Sequence, residues 1–155
     1  MTRADATKVA EQLETAFKTG PEVAQTVLAS LYADQLELHH VPALPSDGTV
    51  NGARMRAASG MEAAAIKNAI PDQYYDDVTV EVDGERVHIK VWIRGTLATG
   101  KAVRLVSDMF CTVRAGHIVA MEHVMDNDTM AAWAEVAKAG GLKIPEAFVN
   151  QVGHG

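Results

Sequence analysis

Apolar side chains recur at helical spacing through the first thirty residues. Val9, Leu13, Ala16 and Phe17 fall on one stripe, as 3.6 residues per turn requires. Thr2 and Asp5 offer caps at the start, and Gly20 suits the end. Pro21 fits a first turn, where no amide donor is needed, and Val23, Val27, Leu28 and Leu31 repeat the one-sided pattern, so a second helix follows at once. From Leu36 the period falls to two. Leu36, Leu38 and His40 share one face and Glu37, His39 and Val41 the other, until Pro42 and Pro45 interrupt pairing. The pattern predicts a short strand ending in two histidines.

The stretch ALPSDGTVNG has the Pro, Ser, Asp and Gly of an irregular loop, and Ala53 to Ile70 reads as a third helix that stops before Pro71, with Gly60 as its weak point. Four strand-like runs follow: Tyr74 to Val82, Arg86 to Arg94, Lys101 to Val113 and His117 to Asp126. The joins at Asp83-Gly84, Gly95 to Gly100 and Ala115-Gly116 are short enough for antiparallel hairpins. Asp126, Asn127 and Asp128 offer caps for a last helix through Met130, Trp133, Ala134 and Ala137, which Gly140-Gly141 should end. Helices, a strand, a helix, a four-strand meander and a final helix describe an α+β fold: one curved antiparallel sheet with helices packed on its concave side, in a single domain over residues 1–155.

Composition narrows the partners. The 48% hydrophobic and 22% charged residues mark a globular chain, and no apolar run approaches the ~18 residues of a membrane span. Fourteen Lys and Arg against 20 Asp and Glu give a net charge of -6, which argues against nucleic acid and anionic membranes as partners. The start MTRADATKVAEQLE lacks the pattern of a signal peptide, and Cys111 has no second cysteine to pair with, so a reducing cytoplasm is the expected location.

The runs LYADQLELHHVP, NGARMRAASGMEAAAIKNAIPD and SDMFCTVRAGHIVAMEHVMD resemble the SnoaL-like, ketosteroid-isomerase-like branch of the nuclear-transport-factor-like superfamily, over nearly the whole chain. The resemblance implies that sheet and helices enclose a cone-shaped pocket. It implies no single activity, because the same fold hosts isomerases, dehydratases, cyclases, epoxide hydrolases and non-catalytic modules. In ketosteroid isomerases an Asp at the end of the first strand is the base and a second Asp on a later strand helps to form the oxyanion hole. Aligned without gaps from Tyr32-Ala33-Asp34, the base position falls on His40, and counting back eight residues from Gly116 puts the second acid on Asp108. The helix-one tyrosine of those enzymes would fall near Ala16 or Phe17, neither of which can donate a hydrogen bond. Family strand geometry implies that Asp108 points into the cone and that Val119, Met121, His123 and Met125 share an inward face. In SnoaL-like cyclases an acid near the position of His123 is the acid/base.

The resemblance thus implies three catalytic residues, His40, Asp108 and His123, with Tyr32, Met55, Phe110, Met121 and Met125 against the substrate. Histidine suits proton transfer because its ordinary pKa of about 6.5 lets it accept and return a proton near neutrality. Each residue also has a structural reading: His40 as a solvated strand-end residue, Asp108 as a hydrogen-bond partner of a neighbouring strand, His123 as a core imidazole on a backbone carbonyl. A metal is not expected, since there is no His-x-x-x-His or Cys-x-x-Cys pair, and neither is a cofactor. Arg104 with Asp108 lacks the second inward acid of the epoxide hydrolase set. The expected function is a cofactor-independent acid/base enzyme, an isomerase, dehydratase or cyclase, acting on a small, largely apolar carbonyl or hydroxy compound. The alternative is a non-catalytic ligand-binding or dimerisation module of the same fold. His88, Lys90, Trp92 and Arg94 alternate on one strand face, read as the convex side, where Trp92 is expected to contact a second copy in a homodimer.

Overall fold

The computed structural model describes residues 2–142, with side chains described from Asp5 onward. Burial of Val9, Leu13, Ala16 and Phe17 forms the inner stripe of α1 (Thr2–Thr19). The side chain of Thr2, the expected cap, lies outside the described residues. Helix α2 (Pro21–Leu31) carries Pro21 in its first turn but buries Ala24, Leu28 and Leu31, leaving Val23 42% exposed. The inner stripe is therefore one residue round from the expected one. No linker follows, and β1 (Tyr32–Val41) starts four residues earlier than its alternation predicts.

The loop after β1 is only partly irregular. Its Thr49 and Val50 form a four-residue strand, β2 (Gly48–Asn51), paired back on β1 with Leu38 opposite Gly48. Asn51 then caps α3 (Gly52–Ala69), its side chain accepting from the amides of Ala53 and Arg54. Gly52 is buried because α3 starts directly on the β1 backbone: a Cβ there would lie 2.1 Å from the Ala33 carbonyl oxygen. That close approach sets α3 over β1.

The meander β3 (Tyr74–Asp83), β4 (Arg86–Thr96), β5 (Ala102–Arg114) and β6 (His117–Val124) follows as expected, and Asp126 caps α4 (Asn127–Ala139) through the Thr129 amide. The sheet order is β2-β1-β6-β5-β4-β3. One pair departs from the wholly antiparallel sheet expected: β1 and β6 run parallel. Hairpin turns dictate direction only between successive strands, and the long excursion from β1 to β6 leaves that pair free to be parallel.

Val87, Ile89, Val91 and Ile93 of β4 and Val103, Leu105, Met109, Cys111 and Val113 of β5 face inward, under the helices. The outer face carries His88, Lys90, Trp92, Arg94, Arg104, Val106, Asp108 and Phe110. Bulges between Asp76 and Thr79 and opposite Thr112–Val113 bend the sheet around the helices. Among the described residues no helix is long and apolar enough to cross a membrane.

Candidate functional site

Sheet and helices enclose a cavity of about 820 Å³. Its sheet side holds Leu38, His40, Met109, Met121 and His123, and α3 contributes Met55, Ser59 and Glu62.

His40 is the last inward residue of β1, and the parallel register sets it directly opposite His123 of β6. The two imidazoles stack, with centroids 5.4 Å apart and planes inclined by 20°. The side chain that completes the group is Asp47, in the loop between β1 and β2. Its Oδ1 lies 2.6 Å from His40 Nδ1, while Oδ2 accepts from the backbone amides of His40 at 2.8 Å and Leu44 at 3.1 Å. Burial opposes ionisation of Asp47, but the bonds from the His40 ring and the two amides outweigh it, and its carboxyl sits below the usual range. An ionised Asp47 only accepts, so the proton between the two groups belongs to Nδ1 of His40. Nε2 is then the nitrogen left to meet a ligand.

His123 stands differently. Burial, with His40 beside it adding to the effect and Asp47 opposing it, pushes its pKa down to about 4. Its ring is neutral at pH 7, with Nε2 3.1 Å from Met121 Sδ.

Asp108 does not join them. It lies on the outer face, where Oδ1 is 2.5 Å from His88 Nε2. Phe110, expected against the substrate, is also outside, stacked on the His88 ring at 4.1 Å with the Arg86 guanidinium 4.7 Å from its centroid. The pairing of β4 with β5 is unbroken from Arg86↔Thr112 to Thr96↔Ala102, so with Met109 and Cys111 buried the even-numbered residues must face outward. Ser107 lines the cavity near the place assigned to Asp108. The structural reading of Asp108, a hydrogen bond to a neighbouring strand, is the one the geometry supports.

On β6 the expected inward series holds for Met121, His123 and Met125, all of which line the cavity. It fails at Val119, the bulged residue: Val113 pairs with Ile118 and Thr112 with Ala120, so Ile118 takes the inward place. Tyr32 and Met55 line the cavity as expected. Burial pushes the Tyr32 phenol up to about 12, and its Oη lies 3.4 Å from Ser59 Oγ. Tyr75 also lines the cavity, stacked on Phe17 and accepting from Gln25 Nε2 at 3.4 Å, whereas Tyr74 is exposed.

Two acids near the imidazoles or the cavity wall escaped the sequence reading, Asp47 behind His40 and Glu62 in the wall. Asp47 was read only as part of an irregular loop, and the signal for it was the return of that loop beside the two histidines. Glu62 was signalled by helical spacing, since Met55, Ser59, Glu62, Ile66 and Ala69 fall within an arc of about 80° at 3.6 residues per turn. Among the described residues no three His, Cys, Asp or Glu side chains are grouped as metal ligands would be.

Six strands bent around four helices, with a cavity between the layers, make this the SnoaL-like, nuclear-transport-factor-like α+β fold. Neither a protein-family model nor a curated protein sequence matches the chain. Among solved structures, a putative polyketide cyclase from Xanthomonas campestris pv. campestris is similar at 18% identity and TM-score 0.59, over 88% of this chain and 99% of that one. AclR, a putative hydroxylase from Streptomyces galilaeus, is similar at 13% identity and TM-score 0.59, over 98% and 92%. A putative SnoaL-like polyketide cyclase from Jannaschia sp. CCS1 is similar at 14% identity and TM-score 0.54, over 78% and 85%. Identities this low, across differently described proteins, establish the fold and leave the chemistry to the site.

Proposed function

We propose that the protein is a cofactor-independent acid/base catalyst for a small, largely apolar carbonyl or hydroxy compound, with His40 as the base and Asp47 as its positioning residue. The observation that supports this best is the His40–Asp47 pair. A carboxylate held by two backbone amides fixes the ring and its tautomer, and Nε2 faces an otherwise largely apolar cavity. This is the orienting logic of an imidazole base with a buried acid behind it. The expected triad through Asp108 is abandoned. His123, neutral beside His40, can take or give a hydrogen bond to an oxygen of the substrate without setting a second positive charge against the first. Removal of a proton next to a carbonyl is a step shared by isomerisation, dehydration and cyclisation. Hydrogen–deuterium exchange therefore tests the reading without knowledge of the substrate. Incubation in D₂O with a panel of apolar ketones and 1,3-diketones should give exchange next to the carbonyl, followed by NMR, above the buffer rate. Ketones that bind with no exchange would overturn the proposal and leave a binding module.

We also propose a homodimer through the outer face of the sheet, as the family resemblance implies. Trp92 lies there partly buried, opposite Val106 and with the Arg104 guanidinium 3.7 Å from its ring centroid, and Val41 is 46% exposed on the same face. Sedimentation should show a dimer at micromolar concentration, and Trp92→Glu should be monomeric, because an unpaired carboxylate in an apolar interface is costly. A monomeric wild type would overturn this. The one cysteine, Cys111, is free and buried, which suits the proposed cytoplasmic location.

A further inference from the structure

Asp47, which orients His40, closes a loop of residues 42–47 between β1 and β2. At the start of that loop the Val41 carbonyl accepts from the Met125 amide at 2.9 Å, which ties the end of β1 to the end of β6. Beyond this tie Pro42, Ala43, Pro45 and Ser46 are exposed, and of residues 42–46 only Leu44 is partly buried. Its side chain packs against the buried Met130 and Ala134 of α4, in a cluster that Met125 and Trp133 also join. The backbone of the same residue grips Asp47 twice. The Leu44 carbonyl accepts from the Asp47 amide at 3.1 Å, and the Leu44 amide donates to Oδ2 at 3.1 Å. That oxygen also accepts from the His40 amide at 2.8 Å, so Leu44 stands beside the base through one shared atom.

We propose that Leu44 is a positioning residue of the base: wedged against α4, it fixes the loop so that its amide keeps Asp47 on the His40 ring. The proposal rests on the acid/base reading for what the pair does, and on the bonds of the loop itself for how the pair is held. A carboxylate turns freely about its side-chain bonds unless one oxygen is pinned. Here the two pins come from different places, the His40 amide from β1 and the Leu44 amide from the loop, and with both made Oδ1 stays on Nδ1. A loop with few buried apolar contacts opens at little cost in free energy. Among the described residues the Leu44 side chain supplies the packing that opposes this, and Pro42 and Pro45, whose rings fix φ, carry its position along the short chain to Asp47. Without that side chain the Leu44 amide turns to water, the carboxylate keeps one pin in place of two, and the ring becomes free to carry its proton on Nε2, the wrong nitrogen for a base. Helix α4, which gives no group to the His40–Asp47 pair, thereby becomes part of its support.

The test reads the ring proton directly, by ¹H–¹⁵N NMR of protein labelled at histidine, with the His40 signals assigned by their loss in His40→Gln. Above the pH at which the ring titrates, the wild type should show His40 in the Nδ1–H form alone. Leu44→Ala should populate both tautomers and lower deuterium exchange at saturating ketone by about 10- to 10²-fold, as for a small misplacement that starts away from the reacting atoms. Leu44→Met, close in volume, should keep the single tautomer and stay within about 3-fold of the wild-type rate. A thermal melt confirms that each variant is folded, and if Leu44→Ala is not, Leu44→Val takes its place with the same change expected to a smaller degree. A residue that only stabilises the fold would lower the melting temperature and leave the tautomer untouched. A folded Leu44→Ala, or Leu44→Val in its place, with a single Nδ1–H tautomer and the wild-type rate would therefore overturn the proposal, as would a mixture of tautomers in the wild type. The NMR readout requires no turnover. A tautomer that depends on Leu44 in a protein that exchanges no ketone would sink only the catalytic reading, and exchange that ignores Leu44 would sink only this one.

Discussion

His40→Ala should lower the rate of deuterium exchange by about 10² to 10⁴, the usual worth of one positioned acid/base group, while ligand affinity falls far less. Asp47→Asn should cost as much although it leaves the imidazole in place. Two backbone amides, of His40 and Leu44, point at one oxygen of Asp47. An asparagine must keep its carbonyl oxygen there, which turns its amide nitrogen toward His40 Nδ1. That nitrogen donates, so Nδ1 has to accept and the ring proton moves to Nε2, which then presents N–H where the substrate needs a lone pair. A wrong tautomer of this kind has cost about 10⁴ in a comparable acid-oriented imidazole. Asp108→Asn is the control. On the outer face against His88, it should change exchange less than about 2-fold, as for surface sites remote from chemistry. If Asp47→Asn keeps most of the rate, or Asp108→Asn loses it, the assignment of the base and its partner is wrong.

The contrast between those two acids shows how much of the site was legible in the sequence. Strand alternation was strong: Val87, Ile89, Val91 and Ile93, then Val103, Leu105, Met109, Cys111 and Val113, are all apolar and all inward. That period already placed Asp108 among Arg104, Val106, Phe110 and Thr112, on the other face. The count from Gly116 lost to it, because a fixed offset borrowed from other proteins says nothing about which way a side chain points, whereas the pleat does. His40 and His123 were legible as inward residues of β1 and β6. Their stacking was not, since a parallel register between strands eighty residues apart depends on the whole sheet. Asp47 was hidden in a stretch read as irregular loop: Pro, Ser, Asp and Gly announce a break in regular structure and do not reveal that a carboxylate folds back on the strand before it. Val119 was misplaced by a bulge, which shifts the inward series by one residue without a signature in residue type.

Below pH 6.5 the stability of the protein should fall through His123. The sign follows from which state holds the proton. His123 has a folded pKa of about 4 against an ordinary 6.5. Above 6.5 the ring is neutral in both states and contributes nothing to pH dependence. Between 6.5 and 4 the unfolded chain takes up a proton that the folded chain refuses, so stability declines as the pH falls, by up to about 1.4 kcal/mol per pH unit and about 3 kcal/mol in all. The ring borders a cavity and is not sealed from water, which makes those figures upper bounds. Two acids act in different ways. Asp47, held below the usual carboxylate range, contributes stability above its unfolded pKa of 3.8 that is lost as the pH falls through its lower folded value, beneath most of the His123 window. Glu62, raised above 4.5, has the opposite sign and destabilises as the pH rises past that value. A difference between variants isolates the imidazole. Urea midpoints of the wild type and His123→Gln, taken from pH 7 to pH 5, should converge or cross as the wild type loses up to about 2 kcal/mol that the variant does not. Parallel curves would mean that His123 accepts its proton in the folded protein as readily as in the unfolded one. His123 would then titrate within the working range, and its role as a partner that stays neutral beside the base would be lost.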